Sequence, residues 1–248
     1  MNPESPWSVP TDDQLTTTPS AVHLWYVRLD VGPRGIDDYW RELSSDERQR
    51  GERFHFDRHR DRFVVCRAQL RRVLARYLMM AASEVRFEYE PLGKPKLCAE
   101  RLACGLHFNL SRSAEIALIA VTSERQVGVD VEQIRVVTDA ERIAQRFFSP
   151  AEHDALSRLP KGERNRAFLK LWTCKEAYLK ATGSGLTFPL DQVTISLAGD
   201  AQPRIESSAD GAHENPWQFA SFTPADGFVG AVATPGKPPT ITYWYCQH

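Results

Sequence analysis

The sequence lacks the features that mark membrane, secreted and polyanion-binding proteins. Its 248 residues contain no apolar run near the roughly 18 residues that a membrane-spanning helix needs. The first 20 residues show no basic region followed by an apolar core, which a secretion signal would have. Lysine and arginine number 31 against 32 aspartate and glutamate, and this balance disfavours a general polyanion binder. We therefore expect no membrane partner and no nucleic-acid partner.

Cysteine is scarce, and its spacing is irregular. The five cysteines are scattered, odd in number and never form a C-x-x-C pair. This distribution argues against a disulfide framework and against a zinc ribbon. It fits a reducing compartment, so we expect a cytoplasmic protein.

Motifs of several common enzyme classes are also missing. The sequence has no G-x-S-x-G elbow, so serine-esterase chemistry has no support, and no G-x-x-x-x-G-K-[ST] phosphate loop. His55 and His59 are four residues apart, as zinc ligands can be. The residue after His55 is Phe56 and not the glutamate of H-E-x-x-H, which disfavours a zinc hydrolase.

Two long amphipathic helices are predicted. Apolar residues recur at three- and four-residue steps over Asp57–Met80, and a second helix over Glu163–Ala181 stops at glycine. Ser44 and Ser149 each precede a glutamate by three residues, which is the spacing of a capping box at the start of a helix.

Strands are predicted on both sides of the second long helix and before the first. They are expected at Val22–Arg28, His107–Leu110, Ile116–Val121, Val127–Glu132, Val193–Leu197, Trp217–Phe222, Phe228–Thr234 and Thr240–Tyr245. After a flexible tail over residues 1–20, the chain thus divides into subdomains 21–126 and 127–248, with the join near Ser123–Gln126. The fold class is α+β.

The segment Val127–Glu132 places two acids on one side of a strand. Side chains alternate, so the valines share the buried side while Asp130 and Glu132 project from the other, with Gly128 leaving open space beside them. Carboxylates about 5–7 Å apart suit a hard cation that prefers oxygen ligands. The alternative is an ordinary amphipathic strand with a solvated face.

The second long helix carries charges in unusual places. Lys175 lies within the apolar stripe, where an ionised amine needs a partner. Glu176 lies at the border of that stripe, four residues before Lys180. An exposed Glu176–Lys180 pair would explain those two residues, but it leaves Lys175 unexplained.

The three acids predict a metal site if the two segments converge, which spacing alone does not show. Two carboxylates about 4 Å apart repel by roughly 4 kcal/mol at an effective dielectric near 20. Such a cluster takes up protons unless a divalent cation neutralises it. Magnesium binds through a few carboxylates and substrate phosphates, so Asp130, Glu132 and Glu176 indicate a phosphate-handling site.

Candidate phosphate contacts are more ambiguous. Eleven arginines against six acids lie from Arg41 to Arg76, which suits phosphate binding or a solvated helical face. Gly93-Lys94-Pro95 is a turn that can hold a lysine toward phosphate. Asn109–Ser113 forms either an anion nest or a polar turn.

Gly128–Glu132 and Trp172-x-x-Lys175-Glu176-Ala177-x-x-x-Lys180 resemble the two signature motifs of 4'-phosphopantetheinyl transferases. Further matches are Gly93–Pro95, Phe108–Ser111 and Arg146–Glu152. Their order and the chain length resemble the larger, Sfp-type branch. That resemblance implies two similar halves in a pseudo-twofold arrangement, each with helices on a small, mostly antiparallel sheet, and an active site in the cleft between them.

The resemblance also implies roles for individual residues. Magnesium would be held by Asp130, Glu132 and Glu176, and coenzyme A would be the co-substrate. Glu176, Lys180 and Lys175 would form the catalytic set, with Glu176 helping to activate a serine of an apo acyl or peptidyl carrier protein. Coenzyme A phosphates would contact Lys180, Lys94, Ser111, Arg112, Arg50 and Arg62. Arg112 departs from the histidine usual in the family.

The predicted reaction transfers phosphopantetheine to the carrier serine and releases adenosine 3',5'-bisphosphate. Two alternatives stay open at this point. One is a catalytically silent coenzyme A or carrier-binding module, and the other is a nucleic-acid binder that uses the Arg41–Arg76 region. We expect a monomer.

Overall fold

The computed structural model describes residues 6–32, 35–98, 105–185, 188–196, 202–208 and 216–248, and within these ranges the chain forms six α-helices and eleven β-strands. The helices are α1 (Ile36–Glu42), α2 (Ser45–Glu52), α3 (Asp57–Leu78), α4 (Ala140–Phe147), α5 (Pro150–Arg158) and α6 (Lys161–Thr182). The strands are β1 (Ala21–Arg28), β2 (Phe87–Tyr89), β3 (Pro95–Leu97), β4 (Leu106–Ser113), β5 (Ile116–Ser123), β6 (Gly128–Gln133), β7 (Val193–Ser196), β8 (Arg204–Ser208), β9 (Trp217–Phe222), β10 (Phe228–Pro235) and β11 (Thr240–Tyr245).

Two mostly antiparallel sheets form the centre of the molecule. The first has the strand order β11-β1-β5-β4, and the second has the order β6-β10-β9-β8-β7. Strands β2 and β3 form a separate ribbon. The α+β class and the small antiparallel sheets predicted from sequence are confirmed.

Three apolar clusters show how these elements are layered. Helix α3 packs on one face of the first sheet, and α6 packs on one face of the second. The third cluster joins the inner faces of the two sheets, through β1 and β5 on one side and β6 and β10 on the other. The order of layers is therefore helix, sheet, sheet, helix.

The two halves repeat one plan. Each runs from a strand through two short helices into a 22-residue helix, then through a short 3-10 turn into further strands. The predicted capping boxes begin the second short helix of each half: the Ser44 amide donates to Glu47 and the Ser149 amide to Glu152. Both long helices end at a left-handed residue, Gly183 in α6 and Met79 in α3, as helix C-termini commonly do.

Two boundaries predicted from sequence need correction. Strand β11 lies at the end of the chain but pairs in parallel with β1, so the first sheet is completed by the last strand. The tail expected over residues 1–20 is ordered from residue 6, whereas residues 1–5 lie outside the described part. The Trp7 indole is buried and donates to the carbonyl of Pro224, and Ser8 pairs with β11.

The remaining elements match the sequence patterns to within a few residues, apart from five that the patterns did not reveal. These five are short, at three to eight residues each: helices α1 and α4 and strands β2, β3 and β8. The expected strand Val193–Leu197 ends at Ser196, and Leu197 lies outside the described residues. Among the described helices, none has the length and apolar composition needed to cross a membrane.

Candidate active site

Helix α6 lies against β6 with backbone touching backbone. A Cβ atom built on Gly128 would overlap the carbonyl of Ala177 and lie 2.6 Å from the amide nitrogen of Ala181. The sequence suggested that Gly128 leaves space beside the acids, and that interpretation is wrong because the helix fills the space. This close approach brings Glu176 and Lys180 of α6 to the face of β6 that carries Asp130.

Asp130 is buried, and it is held by α6 and β4 together. The Lys180 amine donates to Asp130 Oδ1 at 2.6 Å, and the Ser111 hydroxyl donates to the same oxygen at 2.8 Å. Lys180 also donates to Ser111 Oγ at 2.9 Å. Only 3% of Asp130 is exposed, so the alternative of an ordinary strand with a solvated face is excluded for this residue.

The other two carboxylates share the electrostatic environment of Asp130. Burial and the charge of Asp130 raise the pKa of Glu132, although a hydrogen bond from Ser113 opposes this. Burial, then the charge of Asp130, raises the pKa of Glu176 to about 7; Glu132 adds to the rise and Lys180 opposes it. Asp130, Glu132 and Glu176 therefore lie close enough to repel one another, so the two segments converge.

Strands β4 and β6 are the facing edges of the two sheets, and side chains join them. The amides of Val129, Val131 and Gln133 donate respectively to Asn109 Oδ1 at 3.0 Å, Ser111 Oγ at 3.4 Å and Ser113 Oγ at 3.1 Å. These three contacts are called the β4–β6 seam below. Each of these side-chain oxygens accepts a hydrogen bond from a backbone amide, as a carbonyl of a neighbouring strand would. The amides at this edge of β6 are therefore hydrogen-bonded without a neighbouring backbone.

The oxygen donors of Asp130, Glu132 and Glu176 suit a hard divalent cation. No group of three or more His, Cys, Asp or Glu side chains in the described ranges is arranged as a metal site. Asp130 Oδ2 and Glu176 Oε1 are nevertheless buried without a hydrogen-bond partner. Buried carboxylate oxygens are costly unless a charge or donor satisfies them, and oxygen ligands are what magnesium prefers. We conclude that these residues fit such an ion.

Lys175 faces away from the acids. Its amine, which is fully buried, contacts Glu152 at 2.9 Å and donates to the carbonyls of Leu190 and Val193 at 2.7 Å each. The prediction that Lys175 needs a partner is confirmed. Three protein oxygens occupy the amine, which favours a structural role over the catalytic role that the resemblance implied for Lys175.

Lys94 joins the β2–β3 turn to the end of α6. Its amine donates to the carbonyl of Ala181 at 3.1 Å, and burial lowers the pKa of Lys94. Gly183 is close to this turn, because a Cβ there would lie 2.9 Å from a carboxylate oxygen of Glu90. The turn thus lies beside the acidic site, and a phosphate contact by Lys94 would compete with its bond to the helix end.

Most of the arginines between Arg41 and Arg76 already have acidic partners. Seven of the eleven form ion pairs: Arg41, Arg60, Arg62, Arg67, Arg71, Arg72 and Arg76. Arg67 and Arg71 are buried with Glu47 between them. This region is therefore chiefly a structural ion-pair network, which weakens the case for a nucleic-acid surface.

The three arginines expected at coenzyme A phosphates differ in their surroundings. Arg62 forms a two-pronged pair with Asp30 at 2.6 and 2.9 Å, so its guanidinium is already committed. Arg50 lies over the ring of Phe63 and is exposed. Arg112 is exposed near the end of β4, on the strand that carries Ser111.

Ser111 and Ser113 show what sequence reasoning missed. Ser111 was expected at a phosphate, but its hydroxyl hydrogen is directed at Asp130. Ser113, which was not singled out, donates to Glu132 Oε2 at 2.9 Å. The alternation of Asn109, Ser111 and Ser113 along β4 is the signal that could have revealed both roles.

Comparison with known proteins shows the family to which the chain belongs. A family profile described as the 4'-phosphopantetheinyl transferase superfamily matches residues 126–233, and one described as 4'-phosphopantetheinyl transferase, N-terminal, matches residues 35–124. The 4'-phosphopantetheinyl transferase HetI of Nostoc sp. is 38% identical over 237 residues, which cover 96% of this chain and 97% of HetI. The chain belongs to the 4'-phosphopantetheinyl transferase family.

Other relatives agree with the Sfp-type branch of this family. The 4'-phosphopantetheinyl transferase Sfp of Bacillus subtilis is 31% identical over 202 residues, or 81% of this chain and 86% of Sfp. Among solved structures, a holo-(acyl-carrier-protein) synthase from Bacillus anthracis in complex with CoA (3',5'-ADP) covers 45% of this chain and 96% of its own, at 16% identity and a TM-score of 0.38.

Proposed function

We propose that this 4'-phosphopantetheinyl transferase moves the phosphopantetheine arm of coenzyme A onto a serine of an apo acyl or peptidyl carrier protein. The observation that carries the proposal is the placement of the family's two signature motifs. They converge on Asp130, Glu132, Glu176 and Lys180 at the junction of the two halves. The four described cysteines Cys66, Cys98, Cys174 and Cys246 are free thiols, which supports a reducing, cytoplasmic setting.

The proposed metal is magnesium, held by Asp130, Glu132 and Glu176. The partnerless oxygens of Asp130 and Glu176 support this assignment. When bound, such an ion would neutralise the three acids and polarise the diphosphate of coenzyme A. Lys180 already lies against Asp130, and 29% of its side chain is exposed, so it can also meet a phosphate.

The proposed reaction forms one P–O bond and breaks another. The serine oxygen of the carrier bonds to the pantetheine-side phosphorus, and the bridging oxygen leaves with its electron pair as part of adenosine 3',5'-bisphosphate. Glu176 accepts the serine proton as a general base. Lys180 places positive charge beside the leaving diphosphate oxygen. Reactions of this kind are accelerated mainly by positioning and charge neutralisation.

Release of adenosine 3',5'-bisphosphate tests this proposal. The protein is incubated with coenzyme A, magnesium and an apo carrier protein, and the nucleotide products are separated by chromatography. A carrier whose acceptor serine is replaced by alanine is the matched control. We expect release with the serine carrier and none with the control. Coenzyme A binding without release in either sample would support the silent-binder alternative.

A further inference from the structure

The three side chains of the β4–β6 seam make the same kind of contact with the backbone of β6, but only two of them also contact a carboxylate. Each accepts an amide of β6, at Val129, Val131 or Gln133. Ser111 and Ser113 also donate a hydrogen bond to a carboxylate, that of Asp130 and that of Glu132 respectively. Asn109 lies where β6 has a glycine, which offers no carboxylate. The seam therefore contains its own structural control.

The geometry at Ser113 fixes its hydroxyl from two sides. A serine hydroxyl has one hydrogen to donate and two lone pairs. The Gln133 amide, held in β6, takes up one lone pair at 3.1 Å, and the hydrogen points to Glu132 Oε2 at 2.9 Å. Because Glu132 and Gln133 are neighbours in the chain, the serine ties the carboxylate to the backbone that carries it. Little freedom remains for the Glu132 side chain to rotate away.

Ser113 is the contact at which this effect can be isolated. The Ser111 hydroxyl also accepts from Lys180, so a substitution there disturbs the amine and the acid together. Ser113 is only half-buried, and replacing it leaves the contacts between Lys180 and Asp130 in place.

We propose that Ser113 is a positioning residue for Glu132, and that its hydroxyl holds this carboxylate ready for a divalent cation. This inference rests on the proposed function. Groups that hydrogen-bond to metal ligands typically alter metal affinity about 10- to 100-fold when removed. The β4 strand thus contributes to the cation site through a hydrogen bond, although the acids come from β6 and α6.

Manganese binding to the full chain tests this role without any turnover. Mn²⁺ is titrated into the wild type and three variants, and the free ion is measured by its electron paramagnetic resonance signal. Ser113→Ala should raise the Kd for Mn²⁺ about tenfold or more. Ser113→Thr, which keeps the hydroxyl, should stay within about twofold of the wild type. Asn109→Ala removes a seam contact without a carboxylate, so it should lower the melting temperature but leave the Kd within about twofold.

The outcomes separate this inference from the proposed function, because release of adenosine 3',5'-bisphosphate by the wild type is measured alongside. If the wild type transfers but Ser113→Ala binds Mn²⁺ normally, or Asn109→Ala weakens binding equally, the role of Ser113 is refuted and the function stands. Transfer by a wild type that does not bind Mn²⁺ would also refute it. A wild type that neither transfers nor binds Mn²⁺ would overturn both. Should Asn109→Ala not fold, the contrast between Ser113→Ala and Ser113→Thr decides.

Discussion

Arg71 and Lys175 are equivalent residues of the two halves. Each is the fifteenth residue of a 22-residue helix, and each is buried against the capping glutamate of the preceding helix, Glu47 or Glu152. Arg71 donates to the carbonyls of Ala82 and Val85, and Lys175 to those of Leu190 and Val193, three residues apart in both cases. Because the first half makes the same contacts without the three acids of the candidate site, we infer a structural role for Lys175.

Lys175→Met should therefore unfold the protein more readily without changing coenzyme A recognition. The substitution leaves the Glu152 carboxylate buried without its cationic partner, which costs about 3–5 kcal/mol. Urea unfolding measures this loss, and Lys161→Met, at the exposed start of α6, is the control and should shift stability by less than about 0.5 kcal/mol. A tenfold change in KM for coenzyme A, in a Lys175→Met protein that is still folded, would restore Lys175 to the active site.

Gly128→Ala should be severely destabilising because the new methyl would overlap the backbone of α6. We expect a loss of at least about 3 kcal/mol in the free energy of unfolding, or a failure to fold. Gly162→Ala is a matched control in α6, where a Cβ meets nothing within 4 Å and should stabilise the helix by up to about 1 kcal/mol. Equal stability of the two variants would contradict the close contact between α6 and β6.

Glu176→Gln should stabilise the metal-free protein at alkaline pH. The folded-state pKa of Glu176, about 7, lies above its ordinary value of 4.5, so the folded state binds this proton more tightly than the unfolded state. Its contribution to stability is therefore full below about pH 4.5 and is lost as pH rises through about 7. The melting temperature of the variant relative to the wild type should rise over that interval and then level off. A difference that does not depend on pH would refute the raised pKa.

Adding Mg²⁺ should reduce the difference in melting temperature between the Glu176→Gln variant and the wild type at pH 8. A cation bound at the proposed site would neutralise the repulsion among the acids, which is strongest when all three are ionised. Melting temperatures with Mg²⁺ and with EDTA measure this. If the melting temperature of the wild type does not rise at any Mg²⁺ concentration, the assignment of magnesium to this site is contradicted.

Arg112→Ala should raise KM for coenzyme A more than KM for 3'-dephospho coenzyme A. Arg112 is exposed on β4, next to Ser111, and a guanidinium there can pair with a 3'-phosphate. Arg62→Ala is a useful comparison because the guanidinium of Arg62 is already paired with Asp30. Equal effects of Arg112→Ala on the two substrates would remove Arg112 from 3'-phosphate recognition.

Local signals predicted the elements that depend on neighbours in the chain. Capping boxes at Ser44 and Ser149 and the periodicity of α3 and α6 specify helix starts and buried faces directly. Contacts between distant segments were not visible in this way. The pairing of Glu152 with Lys175, the return of β11 to β1 and the Ser113–Glu132 bond each join residues 19 or more positions apart.

The candidate site shows the same division. The motifs identified Asp130, Glu132, Glu176 and Lys180, because each motif is a run of consecutive residues. The interpretation of Gly128 was wrong because the space beside it is filled by α6, a helix that starts 33 residues later, at Lys161. The residue types in the motifs indicated the chemistry of the site. Tertiary packing determines which side chains come together in it.

The most direct test of the central claim is the intact mass of the acceptor. An apo carrier protein is incubated with coenzyme A, Mg²⁺ and this enzyme, with parallel samples that contain EDTA or the Glu176→Gln variant. The account predicts that the carrier gains the mass of one phosphopantetheine in the complete sample and none in either control. An unchanged mass across acyl and peptidyl carriers, with enzyme that is folded and binds coenzyme A, would contradict it.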